Sequence, residues 1–577
     1  MSSTPDPRPE TPETSAPPMA TRDCDLLVLG SGAAGLSAAL TAARHGLRVI
    51  LAEKDSVLGG TSAWSGGWIW APRNPVVQRS GVDEPPEGPR AYLQAVLGNN
   101  FDPGKVDAFL DHAPRTIAFL EAEGLEFQGG LHIPDTYSTQ PGAGMGGRSV
   151  IAAPFDGLAL GEDIRLLRKP LPETSFMGMT IQSGPDLRAF MTMTRSVPAF
   201  VHVTRRFTRH LWDLLRHGRG MQLRNGNALV ARLMLAARKA GVEFITEAPA
   251  TRLLQSDGQV RGAVLATARG DIAVQATKGV VLATGGWPQD IARRAAQFPA
   301  PDLHATLAVP QATGDGLRLA EAVGAVQDRS LASPGAWCPV SEVRWPDGRV
   351  GAFPHIIERG KPGIIGVLRD GRRFCNEGLG YHDYVAALLN SVPPGQPPES
   401  WLICTRAFQR RYGLGISRPA PVPVGGWIRR GYIQTGDTPE ALARACGIDP
   451  QGLARTLADW NRDAVRGEDP AFGRGTTAYM RLQGDPDQHP NPCVAPIEKG
   501  PFYAVKVIPG SFGTFAGLAT DGRARVLDGQ GQPIAGLHAA GCDMASVMGG
   551  HYPAGGINLG PALTFGHIAA LDAAGLL

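Results

Sequence analysis

Residues 541–561 read GCDMASVMGGHYPAGGINLGP, a bed of glycines around a bulky polar side chain, Tyr552, directly before Pro553. Glycines crowd a segment whose backbone must pass close to something flat and polar, where a Cβ would clash. A phenol held rigidly in such a bed can donate a hydrogen bond to a substrate. What kind of substrate depends on the elements that position it, and those begin at the other end of the chain.

Residues 24–54 read CDLLVLGSGAAGLSAALTAARHGLRVILAEK. The apolar run 26–29 predicts a buried parallel strand, the Ala- and Leu-rich stretch to Arg44 a helix ending near Gly46, and 47–52 a second strand closing on Glu53. Between the first strand and the helix, Gly30, Gly32 and Gly35 occupy the GxGxxG positions. Gly30 permits the tight turn, Gly32 lets the backbone approach a pyrophosphate, and Gly35 packs helix on strand. The helix N-terminus favours phosphate charge. Glu53, 18 residues beyond Gly35, is spaced to accept hydrogen bonds from ribose hydroxyls. Strand, turn, helix, strand and acid in this order predict a dinucleotide.

Which dinucleotide follows from what comes next. The loop 57–67, VLGGTSAWSGG, brings Gly60, Thr61, Ser62, Ser65, Gly66 and Gly67, a second glycine-rich wrap further along an extended cofactor. GVVLATGG at 279–286 is a strand closing on Thr284, Gly285 and Gly286, and GLHAAGCD at 536–543 another ending in Gly541 and Asp543. No second GxGxxG unit with its own acid is present. One dinucleotide held from several distant segments suits FAD better than NAD.

These motifs, with TGDG at 313–316, resemble the fumarate reductase/3-ketosteroid dehydrogenase flavoprotein superfamily from about residue 24 to the C-terminus. YPAGGINLGPA, RDGRRFCNEGLGYHDYV (369–385) and PDTYSTQPG (134–142) are most similar to its 3-ketosteroid Δ1-dehydrogenase branch. The resemblance implies an α/β fold: a discontinuous Rossmann-like FAD-binding domain, 23–340 plus 509–577, and an inserted α+β catalytic cap, 341–508. It implies that Tyr552 and the N–H of Gly556 bind a keto oxygen, that Tyr381 takes the α proton, and that Tyr137 assists it. FAD, bound non-covalently because the loop 59–67 has no histidine, would meet Gly30, Gly32, Ala33, Ala34, Gly35, Glu53, Lys54, Gly60, Thr61, Ser62, Ser65, Gly66, Gly67, Thr284, Gly285, Gly286, Asp315, Gly541, Asp543, Asn558 and Leu559. One departure is Ala554, where the family usually has glycine.

The implied reaction is desaturation of a cyclic ketone, a 3-ketosteroid or a smaller cyclohexanone-type ring, with an external quinone or electron carrier as acceptor. A tyrosine base is unusual, since its ordinary pKa is near 10, and it needs neighbouring donors that favour the phenolate. His382 and His551 titrate closer to neutrality, but each adjoins a candidate tyrosine and so points elsewhere. Trp64, Trp68 and Trp70 either wall the pocket or simply pack, and Arg372 and Arg373 with Glu377 read as a solvated or structural charge cluster. A dicarboxylate-reducing rival would carry an arginine where this chain has Asn558, and a histidine within the segment GTFAG at 513–517. A flavin-binding electron-transfer protein without desaturase activity is a further alternative, but it would not need three tyrosines.

Composition sets limits. A net charge of +3 is too small and dispersed for nucleic acid. Seven cysteines without CxxC argue against a disulfide framework, zinc or c-type haem, and no metal is expected. No apolar run approaches the ~20 residues that span a bilayer. Residues 1–22, with six prolines and no apolar core, read as a disordered tail and not a signal peptide, which makes a cytoplasmic protein the expectation. The joints at SPGAW (333–337) and VIPGSFGTFAG (507–517) read as mobile, SVPPGQPPES (391–400) as an exposed loop, and the Met-rich stretch 165–221 as either an apolar substrate mouth or an irregular helical excursion.

Overall fold

Leu26–Leu29 is buried throughout and lies at the centre of a mainly parallel sheet, as a continuous apolar run requires. In the computed structural model, which describes residues 20–577, this sheet has the order Arg525–Leu527, Pro533–Ala539, Val280–Leu282, Leu26–Leu29, Val49–Ala52, Glu243–Ile245. Every neighbouring pair is parallel except the first. One sheet is thus assembled from pieces of chain more than 500 residues apart. The strand expected from 47 begins at Val49, because Leu47 N still bonds to Ala42 O as the helix Ala33–Arg44 ends.

That helix packs on the C-terminal helix Leu559–Ala574. Ser37 Oγ donates to Leu563 O at 2.7 Å, and Thr41 Oγ1 meets His567 Nδ1 at 2.9 Å. The turn that launches it is made at Gly30, with φ +103° and no room for a Cβ against the Ala283 carbonyl. Any other residue there would push the two central strands apart.

A second sheet has the order Val350–Pro354, Gly335–Arg344, Phe502–Thr514, Ser400–Thr405, Ile364–Val367, with Ala305–Thr306 and Gln434–Gly436 also paired to Phe502–Thr514. Two expectations are corrected here. The boundaries drawn at 340/341 and 508/509 fall inside paired strands, with Gly335 opposite Thr514 and Val340 opposite Ile508. The glycines and prolines that suggested mobile joints are instead accommodated in an antiparallel ladder, where Pro339 faces Pro509 and the two missing donors fall at one point.

Of the tail, residues 1–19 lie outside the described residues, whereas 20–22 belong to a strand, Ala20–Cys24, parallel to Ile272–Ala276. Edge pairing through the backbone needs no apolar side chains, so composition concealed it. Within 391–400, Ser391 and residues 393–397 are exposed, whereas 398–400 are buried and Ser400 opens a strand. The stretch 165–221 contains two helices, Pro185–Thr192 and Val197–His217. Among the described residues no helix is long and apolar enough to cross a membrane, and no His/Cys/Asp/Glu cluster could hold a metal. All seven cysteines are free.

Candidate active site

The two glycine motifs at the N-terminal end are tied together by Ser31. Its hydroxyl donates to Glu53 Oε2 at 2.5 Å and accepts from Gly59 N at 2.9 Å; its own N–H also reaches Glu53, at 3.0 Å. Glu53 Oε1 accepts from Asp55 N at 2.9 Å, so the buried carboxylate is oriented before any ribose arrives. Ser62 Oγ closes the amide of Ala33 at 3.0 Å. The N–H groups of Gly32, Ala34 and Gly35 meet no protein acceptor among the described residues. Free amides at a helix N-terminus, beside an acid held ready, form a cradle into which a dinucleotide fits.

Around that cradle the other cofactor candidates converge, several through each other. Lys54 Nζ donates to Thr313 Oγ1 at 2.7 Å and Asp315 Oδ2 at 2.8 Å. Thr61 Oγ1 accepts from Val309 N at 3.2 Å, and Ser65 Oγ bridges Ser62 O and Gly67 N. Gly60 opens a short helical turn, and Gly66 faces open space. Asp543 accepts from Thr284 N, Thr284 Oγ1 and Gly286 N, fixing the turn around Gly285; burial pushes its carboxyl up to about 6. Gly541 lies beside Ala34, and Leu559 begins the C-terminal helix. Asn558 is different: its amide donates to Tyr552 Oη at 3.1 Å.

Tyr552 and Tyr381 stand edge to face with ring centroids 4.8 Å apart. Burial raises both phenols well above their usual range, and their proximity adds to this for Tyr381. Contact between the two hydroxyls raises Tyr381 further and offsets part of the rise at Tyr552, whereas the Tyr137 hydroxyl is directed to Asp383. Gly556 has φ +103°, and a Cβ there would lie 2.6 Å from Trp70 N. Its carbonyl accepts from Trp70 N, while its own N–H has no protein acceptor among the described residues. The bed is fixed from outside by Tyr92, whose hydroxyl donates to Pro553 O at 2.6 Å and accepts from Tyr137 N at 3.3 Å. Tyr381, with Leu171, Ile356 and Phe512, packs against the buried cluster of Leu307, Cys338 and Val340.

Tyr137 directs its one proton away from Tyr381, to Asp383 Oδ1 at 2.8 Å. Asp383 Oδ2 is buried without a partner, and burial raises this carboxyl despite the Tyr137 hydroxyl and the Arg359 charge. Arg359 is fully buried, its N–H groups directed to the carbonyls of His355, Glu377 and Leu379. Tyr479 joins the same group, its phenol pushed up to about 12 by burial. Sequence reasoning missed Asp383, Arg359 and Tyr479. Only Asp383 left a signal, two positions after Tyr381 in YHDYV, and an acid in a first helical turn reads as an ordinary dipole partner.

The histidines beside the tyrosines are otherwise engaged. His382 Nδ1 accepts from Trp337 N at 3.2 Å, and burial pushes the ring down to about 3, so it is neutral. His551 approaches Asn100 Oδ1 at 3.4 Å and is likewise lowered by burial. Of the tryptophans, Trp70 is pure core, stacked on Phe109 and bonded to Asp135. Trp64 packs by Ala308 and Val309, and Trp68 donates to Ser183. Arg373 and Glu377 form a buried network with Asp469 and Arg474, whereas Arg372 is exposed beside Asp370.

Comparison with known proteins accounts for this cradle. Residues 25–559 match the family described as FAD binding domain. The chain belongs to that family. It is 40% identical over 559 residues to the 4-oxocyclohex-2-ene-1-carboxylate 5-dehydrogenase of Sinomonas cyclohexanicum, covering 96% of this chain and 94% of that one. It is 36% identical to the 3-oxosteroid 1-dehydrogenase of Mycolicibacterium smegmatis, covering 96% and 98%. The crystal structure of 3-ketosteroid delta1-dehydrogenase from Sterolibacterium denitrificans, in complex with 1,4-androstadiene-3,17-dione, superposes with a TM-score of 0.88 at 32% identity, over 96% of this chain and 99% of that one. The protein is an FAD-dependent dehydrogenase acting on CH–CH groups.

Proposed function

We propose that the protein desaturates a neutral cyclic ketone between its α and β carbons, and that the ketone is of the 3-ketosteroid class. The observation that carries the reading is the direction of the hydrogen bonds at Tyr552. Its oxygen accepts from Asn558, which leaves the single phenolic proton free to donate to a keto oxygen. The free N–H of Gly556 supplies a second donor. Two fixed donors of this kind stabilise an enolate as its charge develops, each worth about 10²–10³ in rate.

Tyr381 then removes the α proton. Because Tyr137 spends its own proton on Asp383, its oxygen can only accept, and it can receive the proton that Tyr381 sheds. The buried carboxylate of Asp383 is the final acceptor. Bound FAD supplies the oxidising power, chemistry that no side chain provides. The residues expected to hold it are those of the Gly30–Gly35 turn, Glu53, the 59–67 loop and the turns at Thr284 and Gly541, without a covalent bond. A quinone or an electron carrier takes the electrons onward.

A neutral ketone is favoured because Tyr381 packs on Phe512 and on the apolar cluster of Leu307, Cys338 and Val340, and the buried Arg359 has turned its donors to backbone carbonyls. The second reading, a single-ring keto acid, is supported by the 40% identity to an oxocyclohexene carboxylate dehydrogenase. The test is anaerobic bleaching of the purified protein by androst-4-ene-3,17-dione, 4-oxocyclohexanecarboxylate and succinate. Bleaching by the steroid with a 1,4-diene product supports the proposal; bleaching by the keto acid alone transfers it to the smaller ring. Bleaching by succinate alone removes Tyr552 and Tyr381 from their roles.

A further inference from the structure

Arg359 carries a buried positive charge that no carboxylate receives directly. Nearby Arg474, which donates to the Arg359 carbonyl at 2.6 Å, pairs with Glu377 at 3.3 Å, and Arg373 pairs with the same acid at 2.7 Å. Arg359 is fully buried as well, yet no carboxylate lies within 4 Å of its guanidinium among the described residues. Glu358, the residue before it, turns its carboxylate to His355 Nδ1 at 2.6 Å. The Arg359 donors go to neutral carbonyls instead: Nε to His355 O at 2.7 Å, Nη1 to Glu377 O at 2.7 Å and Nη2 to Leu379 O at 3.4 Å. Carbonyls satisfy N–H groups but do not balance a charge, and a dry cation without a counter-charge is costly. The cost calls for a negative charge elsewhere in the same buried group.

The carbonyls that Arg359 grips show where that charge is. Glu377 and Leu379 lead into Gly380, the cap of the helix Tyr381–Ser391, so that Tyr381 is the first residue of the helix and Asp383 the third. Asp383 folds back over the helix start, where a Cβ on Gly380 would fall 2.5 Å from Asp383 Oδ2. The guanidinium lies over the Tyr384 ring, 5.1 Å from its centroid, and so against the same first turn. The groups facing Asp383 from other elements are the phenols of Tyr92, Tyr137 and Tyr479 and the cation of Arg359. Burial raises the Asp383 carboxyl, and the Tyr137 hydroxyl and the Arg359 charge pull it back.

We propose that Arg359 is a positioning residue of the reaction: its charge balances the Asp383 carboxylate, and its fork of N–H groups sets the turn from which Tyr381 and Asp383 project. The inference rests on the proposed proton path through Asp383. Without the cation, Asp383 would keep a proton at neutral pH and could not receive one from Tyr381 by way of Tyr137.

The experiment is anaerobic stopped-flow reduction of the FAD-loaded protein between pH 6 and 9, with androst-4-ene-3,17-dione, or with 4-oxocyclohexanecarboxylate where that is the ketone that bleaches it. Arg359→Gln keeps a donor and removes the charge. An opposite charge at this range is worth about 1–3 pKa units, so flavin reduction at pH 7 should fall by about tenfold or more and recover as the pH is raised to 9. Arg359→Lys keeps the charge and loses the fork, and should stay within about fivefold of wild type at pH 7 without that recovery. A rate within threefold of wild type at pH 7 in Arg359→Gln, or a loss equal at every pH, overturns the inference. So does a pH-dependent loss in Arg359→Lys as large as in Arg359→Gln, and Arg359→Lys alone decides if Arg359→Gln does not retain FAD. Asp383→Asn separates this failure from failure of the path itself. If Asp383→Asn is slow while Arg359→Gln is not, only Arg359 loses its role; if Asp383→Asn reduces its flavin at the wild-type rate, the path falls and this inference with it.

Discussion

Asp383→Asn is the sharpest probe of the proposed proton path, because it is nearly isosteric and removes only the basicity of the carboxylate. The Tyr137–Asp383 bond of 2.8 Å can survive through the amide oxygen, so the shape of the site is kept. What is lost is the acceptor. Moving a proton from an ordinary phenol near 10 to an ordinary carboxylate near 4 is uphill by about 6 pKa units, roughly 8 kcal/mol. Burial raises the Asp383 carboxyl and the Tyr381 phenol alike, so it leaves a large gap; donors on the enolate ease the removal of the α proton instead. An asparagine closes the route altogether. General-base assistance is typically worth about 10²–10⁴ in rate, and a loss of at least 10² in the flavin reduction rate constant is expected at saturating ketone. The alternative, that Asp383 merely holds Tyr137, predicts a stability loss of about 0.5–1.5 kcal/mol for one hydrogen bond and little change in chemistry. Anaerobic stopped-flow bleaching separates the two, and Asp383→Glu should recover part of the rate. A second readout needs no oxidation: with the flavin pre-reduced, exchange of the ketone's α hydrogens in D₂O, followed by proton NMR, should slow in parallel. A reduction rate within threefold of wild type in Asp383→Asn, with FAD still bound, would refute the path through Asp383 and leave Tyr381 to be explained otherwise.

Tyr552→Phe removes the donor left free by Asn558 and should lower flavin reduction by about 10²–10³ while FAD content is retained; a normal rate would place the keto oxygen elsewhere. Gly556→Ala forces a Cβ to within 2.6 Å of Trp70 N at a positive φ, so loss of activity with a lowered Tm is expected, and a well-folded active variant would contradict the close approach. The pH dependence of stability has a definite sign. Burial pushes His304 and His382 down to about 3 and His567 down to about 4, whereas each binds a proton near 6.5 when unfolded. Their contribution is therefore fully present above about pH 6.5 and lost as the pH falls from there towards about 3. With three protons bound only in the unfolded state, the slope near pH 5 is about 4 kcal/mol per unit. Urea unfolding with the same midpoint at pH 5 and pH 7.5 would show these rings to be solvated.

The parts of this molecule legible in its sequence are those whose function constrains the backbone. Gly30 must turn where no Cβ fits, and the strand before it must be apolar on both faces, so the cradle is visible as a pattern of residue types. The strand pairing of 335–344 with 508–514 was not visible, because the glycines and prolines near 335 and 509 serve a strand ladder as readily as a hinge. Side-chain chemistry was the least legible. Asp383, Arg359 and Tyr479 come from three separate segments, and nothing local to any of them distinguishes a buried partner from a solvated one. The helix Val197–His217 shows the same limit in another form. Its buried face carries Arg206, His210 and Asp213 while apolar residues lie outside, so apolar periodicity gave no guide to its packing. Periodicity reveals that a helix has two unlike faces; only the partners of the polar side chains reveal which face is inside. Here Asp186 and the Met177 carbonyl decide it: the face that holds Arg206, His210 and Asp213 is the inner one.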